Sequence, residues 1–263
     1  MRFHKKAAAW ARELKHIFRG ASLNIIHREP PAHYLGYTVA GKVPVILIPG
    51  IFSRWGYMKH LGDAISLRGH PVYIIPELHN NLFSVPSSAK ILRSLITHIV
   101  PMSGHIVSRT SRSAETIRKF IQEKGLKDVI IVAHSKGGLI GKYFLVHHNA
   151  DRRVLGMIAV ATPFSGSALA KLIPHGAFKE LMTDSKVIHD LKTHKEVNKN
   201  IVSIFPEYDT QIWAERGSFL DGAENIEIPV AGHTVLFDKK IHDAVINAID
   251  KMTSAVNSVR YNT

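Results

Sequence analysis

The sequence predicts an α/β fold, a mostly parallel central sheet with helices on both faces, and two observations carry that prediction. Short apolar, β-branched runs recur at Val43 to Ile48, Pro71 to Ile75, Val129 to Ala133, Val154 to Ala161, Ile201 to Phe205 and Ile226 to Val230. Between them lie helical patterns such as Tyr57 to Leu67, Ser111 to Lys124 and Gly138 to His147. A strand buried on both faces shows no polar alternation, so continuous apolar runs alternating with amphipathic helices read as a parallel sheet covered on both sides. In such sheets the reactive groups gather on loops at the carboxyl ends of the strands. The informative residues are therefore those just after each run: Gly50 and Ile51 after the first, Ser135 after the third, and Asp209 and His233 after the last two.

The chain has 263 residues, 45% of them hydrophobic, which suits one core of good size, and no repeat or long linker divides it. We read residues 1–42 as a basic amphipathic N-terminal helix and lead-in, and 43–263 as the α/β domain. The helical, polar stretch at 163–200 contains no clear strand and reads as a lid over the site. Cysteine is absent, which excludes disulfides, Cys-ligated metals and thiol catalysis. No uncharged apolar run approaches the ~18 residues of a membrane span. The N-terminal run Ala7 to Trp10 is cut short by Arg12, Glu13 and Lys15, too early for a secretory leader. A cytoplasmic or membrane-peripheral protein is expected.

Lys and Arg outnumber Asp and Glu by 34 to 21, a formal charge of +13. That bias attracts anionic partners without selecting one. The cations are scattered and not interleaved with aromatics on one face, so no specific nucleic-acid partner is expected. On a helix, Phe3, Ala7, Trp10, Leu14, Ile17 and Phe18 share a face opposite the basic residues. This suits either an interfacial helix on an anionic membrane or a terminal helix docked on the domain.

The chemistry concentrates at Ala133-His134-Ser135-Lys136-Gly137-Gly138, where an apolar strand runs directly into an amphipathic helix. A serine at the apex of such a turn is held in strained backbone geometry, and the residues two before and two after it must be small so that strand and helix can approach. Ala133 and Gly137 meet that requirement. The bland alternative is a serine that only caps a helix.

A serine hydroxyl is a weak nucleophile at neutral pH; it needs an imidazole to take its proton and a carboxylate to orient the imidazole. Of 17 histidines, position singles out His233 in Ile228-Pro229-Val230-Ala231-Gly232-His233, just past the last apolar run. Asp209, shortly beyond the run ending at Phe205, is the candidate acid, with Glu207 and Asp221 as rivals. Two backbone N–H groups are candidates for an oxyanion hole, that of Ile51 after the first run and that of Lys136 after the serine.

These residues resemble the α/β-hydrolase superfamily, and within it bacterial triacylglycerol lipases and esterases with an Ala-x-Ser-x-Gly turn. The resemblance spans roughly Val43 to Lys251 and keeps the superfamily's Ser, Asp, His order. It departs at Pro49, where many lipases have His, and at Lys136, where many have Met, Leu or Gln; the Lys136 side chain is either a cationic rim group or a solvated lysine at the helix start. The resemblance implies carboxylic ester cleavage through an acyl-enzyme, with Ser135, His233 and Asp209 as triad and without metal or organic cofactor. An apolar set in the lid segment, Leu169, Leu172, Ile173, Phe178, Leu181 and Met182, together with the basic surface, favours lipid esters. An acyltransferase or thioesterase on the same triad, or an idle hydrolase fold used for binding, are the alternatives left open, as is the oligomeric state.

Overall fold

The computed structural model describes residues 3–27, 29–97, 126–173, 175–214 and 217–261. Six parallel strands form one sheet in the order β2-β1-β3-β4-β5-β6: β1 (Val45–Ile48), β2 (Val72–Ile74), β3 (Val129–His134), β4 (Val154–Val160), β5 (Ile201–Tyr208) and β6 (Glu224–Ala231). The helices are α1 (Phe3–Ile26), α2 (His33–Gly36), α3 (Lys59–Ser66), α4 (Val85–Thr97), α5 (Lys136–His147), α6 (Lys186–Thr193) and α7 (Lys239–Tyr261). The helical pattern Ser111 to Lys124 lies outside the described residues.

Alternation along the strands builds two cores. Ile46 and Ile48 of β1 and Ile131 and Ala133 of β3 pack with Leu92 of α4, Leu139 and Phe144 of α5 and Leu191 of α6. Val45 and Leu47, with Ile130 and Val132, face the other way onto Leu61 and Ile65 of α3 and Val245 and Ile249 of α7. Burying each such side chain contributes about 1.5–3 kcal/mol, so the central strands, buried at every position, anchor the fold.

Strand ends differ most from expectation at the edge. β5 runs on to Tyr208 because Pro206 and Tyr208 pair with Ile228 and Ala231, although Pro206-Glu207-Tyr208 is not an apolar run. Among the described residues of 163–200 there is no strand, as expected, and short 3-10 turns at Ala168–Leu172 and Gly176–Leu181 precede α6.

α1 docks on the domain, but not through the apolar face read from the sequence. Ala9, Glu13 and Gly20 are buried, with His16 and Leu23 half-buried, at spacings of three and four that mark one side of a helix. Gly20 lies flat against the Tyr57 ring, where any side chain would collide. Asn24 accepts a hydrogen bond from the Tyr57 N–H at 3.0 Å.

Candidate active site

β3 delivers Ser135 to the carboxyl edge of the sheet in a left-handed conformation, φ 53° and ψ −125°. Such a conformation costs a non-glycine residue about 1–3 kcal/mol and persists only where the surroundings enforce it. Here the Ser135 N–H is tied to the Val160 carbonyl of β4 at 2.9 Å, and α5 starts at the next residue. Gly137 permits the turn: a Cβ there would strike the Ile48 carbonyl and lie 2.8 Å from that of Pro49.

The structure brings together the three residues singled out as a triad. His233, past the end of β6, has Nε2 2.9 Å from Ser135 Oγ. Its Nδ1 lies 2.9 Å from Asp209 Oδ2 and 3.1 Å from Oδ1, so the nitrogen facing the carboxylate carries the proton and Nε2 is the acceptor. Asp209 is itself held: Oδ1 accepts from the N–H groups of Gln211 and Ile212, both at 2.8 Å. Of the rivals, Glu207 is exposed, and Asp221 lines a different cavity, of about 620 Å³, that none of the three residues borders. Burial pulls the His233 imidazolium down, but the charge and hydrogen bond of Asp209 and the charge of Glu13 outweigh it, leaving His233 above the ordinary histidine value.

Glu13 was not anticipated. Its carboxylate, 1% exposed, reaches from α1 beneath the His233 loop. Oε2 accepts from the N–H groups of His233 and Thr234 at 2.7 and 3.0 Å, and Oε1 from Thr234 Oγ1 and Gln211 Nε2, both at 2.7 Å. His16 of the same helix bonds the Thr234 carbonyl at 2.9 Å. Burial alone would raise the Glu13 carboxyl; the bonds from Thr234, the charge of His233 and the His233 N–H more than reverse this and hold it below the ordinary glutamate range.

Two expected outcomes follow for stability. Glu13→Ala removes the acceptor of four donors, of which the His233 N–H keeps Thr210 Oγ1 at 3.1 Å, and is expected to cost about 3 kcal/mol, read as a lower urea midpoint. Because the folded carboxyl is more acidic than the unfolded one, its contribution is complete above the unfolded pKa of about 4.3 and fades as pH falls through the folded value. The gap between wild type and Glu13→Gln should therefore narrow in acid.

His134 was read only as part of the turn. Burial, reinforced by the charge of His233, lowers it to about 4, so the ring is neutral near pH 7. Its Nε2–H donates to the His233 carbonyl at 3.1 Å. The Lys136 side chain is neither rim cation nor solvated: it is buried, lowered to about 8 by desolvation, and donates to the carbonyls of Phe83 at 2.6 Å and Asn81 at 3.2 Å. Asn81 in turn donates to the Pro49 carbonyl at 2.6 Å. One residue thus links the segments carrying Ile51 and Lys136.

Neither the Ile51 N–H nor that of Lys136, the first residue of α5, has a protein acceptor among the described residues. Gly50, beside Ile51, lies against Ser135: a Cβ there would be 3.1 Å from the serine Cβ. Ile51, Ser135, Gln211 and His233 line a cavity of about 50 Å³, roofed by Leu169, Ile173, Phe178 and Leu181. Four of the six apolar residues marked in the lid segment therefore face the site; Leu172 is exposed, and Met182 packs against the core. Among the described residues no cluster of His, Asp and Glu is placed to hold a metal, and no helix is long and apolar enough to cross a membrane.

Solved structures of similar fold include the mature form of the Bacillus licheniformis lipase BlEst2, 16% identical with a TM-score of 0.58 over 82% of this chain and 94% of that one. Aspergillus fumigatus lipase B is 19% identical with a TM-score of 0.62 over 84% of this chain and 55% of that one. A metagenome-derived lipolytic enzyme of the LipS and LipT pair is 14% identical, TM-score 0.55, over 85% of this chain and all of its own length. At these identities the likeness is one of fold. No curated protein matches the sequence. The family model for the alpha/beta hydrolase fold matches residues 43–185, more than half of the chain and including the Ser135 turn, and this chain belongs to that family.

Proposed function

We propose that this protein is a serine hydrolase that cleaves carboxylic esters, lipid esters among them, through an acyl-enzyme. The observation that carries the reading is the continuous hydrogen-bonded line Asp209, His233, Ser135, both links at 2.9 Å, ending on a serine in strained left-handed geometry. Lipases among the solved structures of similar fold support the ester class.

In this reading His233 Nε2 takes the Ser135 proton as Oγ attacks the ester carbonyl, and Asp209 stabilises the imidazolium. The N–H groups of Ile51 and Lys136 receive the developing oxyanion, a contribution worth ~100- to 1,000-fold in rate for each donor. His233 then protonates the leaving alcohol and activates the water that frees the acid. A cavity of about 50 Å³ is small beside the ~300 Å³ or more of typical ligand sites. Seating an acyl chain therefore requires the roof formed by Leu169, Ile173, Phe178 and Leu181 to move outward, as a lid does.

The test is fluorophosphonate labelling of the native chain with the adduct mapped by mass spectrometry, alongside turnover of p-nitrophenyl esters of rising acyl length. We expect the adduct on Ser135 and turnover that extends to medium and long chains. Turnover confined to the acetate overturns the lipid part, acyl transfer to an added alcohol in preference to water overturns hydrolysis, and absence of both adduct and turnover overturns the reading.

A further inference from the structure

α1 is turned the opposite way from an ordinary surface helix, which buries its apolar stripe and shows its polar one. Here the docked side is largely polar, with Glu13 and His16 bonded to the His233 loop. The apolar side faces solvent: Trp10, Leu14, Ile17, Phe18 and Ile25 recur at helical spacing and are 37–73% exposed. Single exposed apolar side chains are common, whereas a contiguous stripe marks a surface that meets something. Arg12 and Lys15 occupy the neighbouring exposed sector, while Arg19 lies over the Phe237 ring and bonds His60 Nε2 at 3.0 Å. Glu13, the sole acid between residues 3 and 27, is buried, so the outward surface of α1 presents cations without a compensating anion.

We propose that this face of α1 seats the protein on an anionic lipid bilayer, the apolar stripe entering the headgroup boundary and the cations pairing with lipid phosphates. Charge selects this occupant. A second copy docked stripe to stripe would bring Arg12 and Lys15 of both chains together with no exposed anion on either helix to offset them. An anionic bilayer supplies the opposite charge to the cations and an apolar layer to the stripe at once.

The position of α1 gives the contact a use. The Gln211 side chain donates to Glu13 and also lines the Ser135 cavity, so the helix lies at the rim of that cavity. Trp213, two residues on, is also exposed, at 47%. Since α1 is bolted to the His233 loop, a bilayer that holds the stripe also holds the cavity close to its surface. Docking itself needs no turnover and does not rest on the hydrolase reading.

Sedimentation of the full chain with vesicles tests this directly, comparing phosphatidylcholine alone with an equimolar phosphatidylcholine and phosphatidylglycerol mixture. We expect the anionic vesicles to bind at least tenfold more strongly and high salt to weaken them, at about fivefold per lost cation contact. Leu14→Asp with Phe18→Asp should lower binding at least tenfold, and Arg12→Glu with Lys15→Glu more than tenfold. These residues are exposed, so unfolding temperature and any p-nitrophenyl acetate turnover should stay at wild-type values in both. The proposal is overturned if wild type does not sediment, if both double variants sediment like wild type, or if wild type is a dimer in solution that Leu14→Asp with Phe18→Asp dissociates. An acidic protein that binds the stripe while anionic vesicles do not would overturn it as well.

Discussion

Ser135→Ala is expected to lower kcat for ester turnover by about a million-fold and to abolish fluorophosphonate labelling, while changing stability by less than ~1 kcal/mol. The separation of the two effects follows from the turn. Its strained backbone is imposed by the Val160 bond to the Ser135 N–H and by the close approach of Gly137 to β1, both of which alanine leaves intact. What alanine removes is Oγ, the atom 2.9 Å from His233 Nε2. Some acceleration over the uncatalysed reaction should survive, because the N–H groups of Ile51 and Lys136 remain to polarise a bound carbonyl. Turnover and labelling within tenfold of wild type would show that another group is the nucleophile. A variant that loses both while also unfolding earlier by several degrees would point to the turn as structural support, with Ser135→Thr as the control that keeps the hydroxyl.

The centre of the sheet was legible because its strands obey one rule: buried on both faces, they are apolar at nearly every position. β1 and β3 are fully buried from end to end, and the runs Val43 to Ile48 and Val129 to Ala133 locate them to within two residues. Legibility failed where edge pairing, not burial, makes the strand, as at Pro206 to Tyr208 against β6. The candidate site divides the same way. Ser135, Asp209 and His233 sit just past strand ends, where topology alone puts reactive groups, so each could be read locally.

Glu13 could not be read so. Its partner His233 is 220 residues away, and one acid among cations on an amphipathic helix reads as an exposed residue. A signal was present in the second periodic face, Ala9, Glu13, His16 and Gly20, which is small and polar and proved to be the docking side. The larger apolar face beside it is the stronger signal, yet hydrophobicity alone does not say which face a helix buries when the N–H groups of a loop need a carboxylate. Lys136 makes the same point. A lysine after a nucleophile reads as solvated, but the carbonyls of Asn81 and Phe83, from a loop more than fifty residues upstream, satisfy its ammonium in the interior.

Asp209→Asn is expected to lower kcat by about 10⁴-fold with little change in stability, because the hydrogen bonds that hold the side chain dictate how an amide must sit. Oδ1 is fixed by the N–H groups of Gln211 and Ile212, so an asparagine would keep its carbonyl oxygen there and turn its NH₂ toward His233 Nδ1. Facing a donor, Nδ1 must accept, which moves the ring proton to Nε2 and leaves nothing to take the proton of Ser135. The same change alters the pH profile. Burial lowers His233 and Asp209 is the main influence opposing it, so without the carboxylate the imidazole becomes less basic and the acidic limb of any residual kcat/KM profile moves to lower pH. Glu13→Gln should move that limb in the same direction by less, and should cost under about tenfold in kcat, since Glu13 bonds the His233 backbone and its charge ranks behind that of Asp209. Comparing the two variants separates the carboxylate that fixes the tautomer from the one that holds the loop. An Asp209→Asn enzyme within tenfold of wild type, or a Glu13→Gln profile displaced further than that of Asp209→Asn, would reverse the assignment.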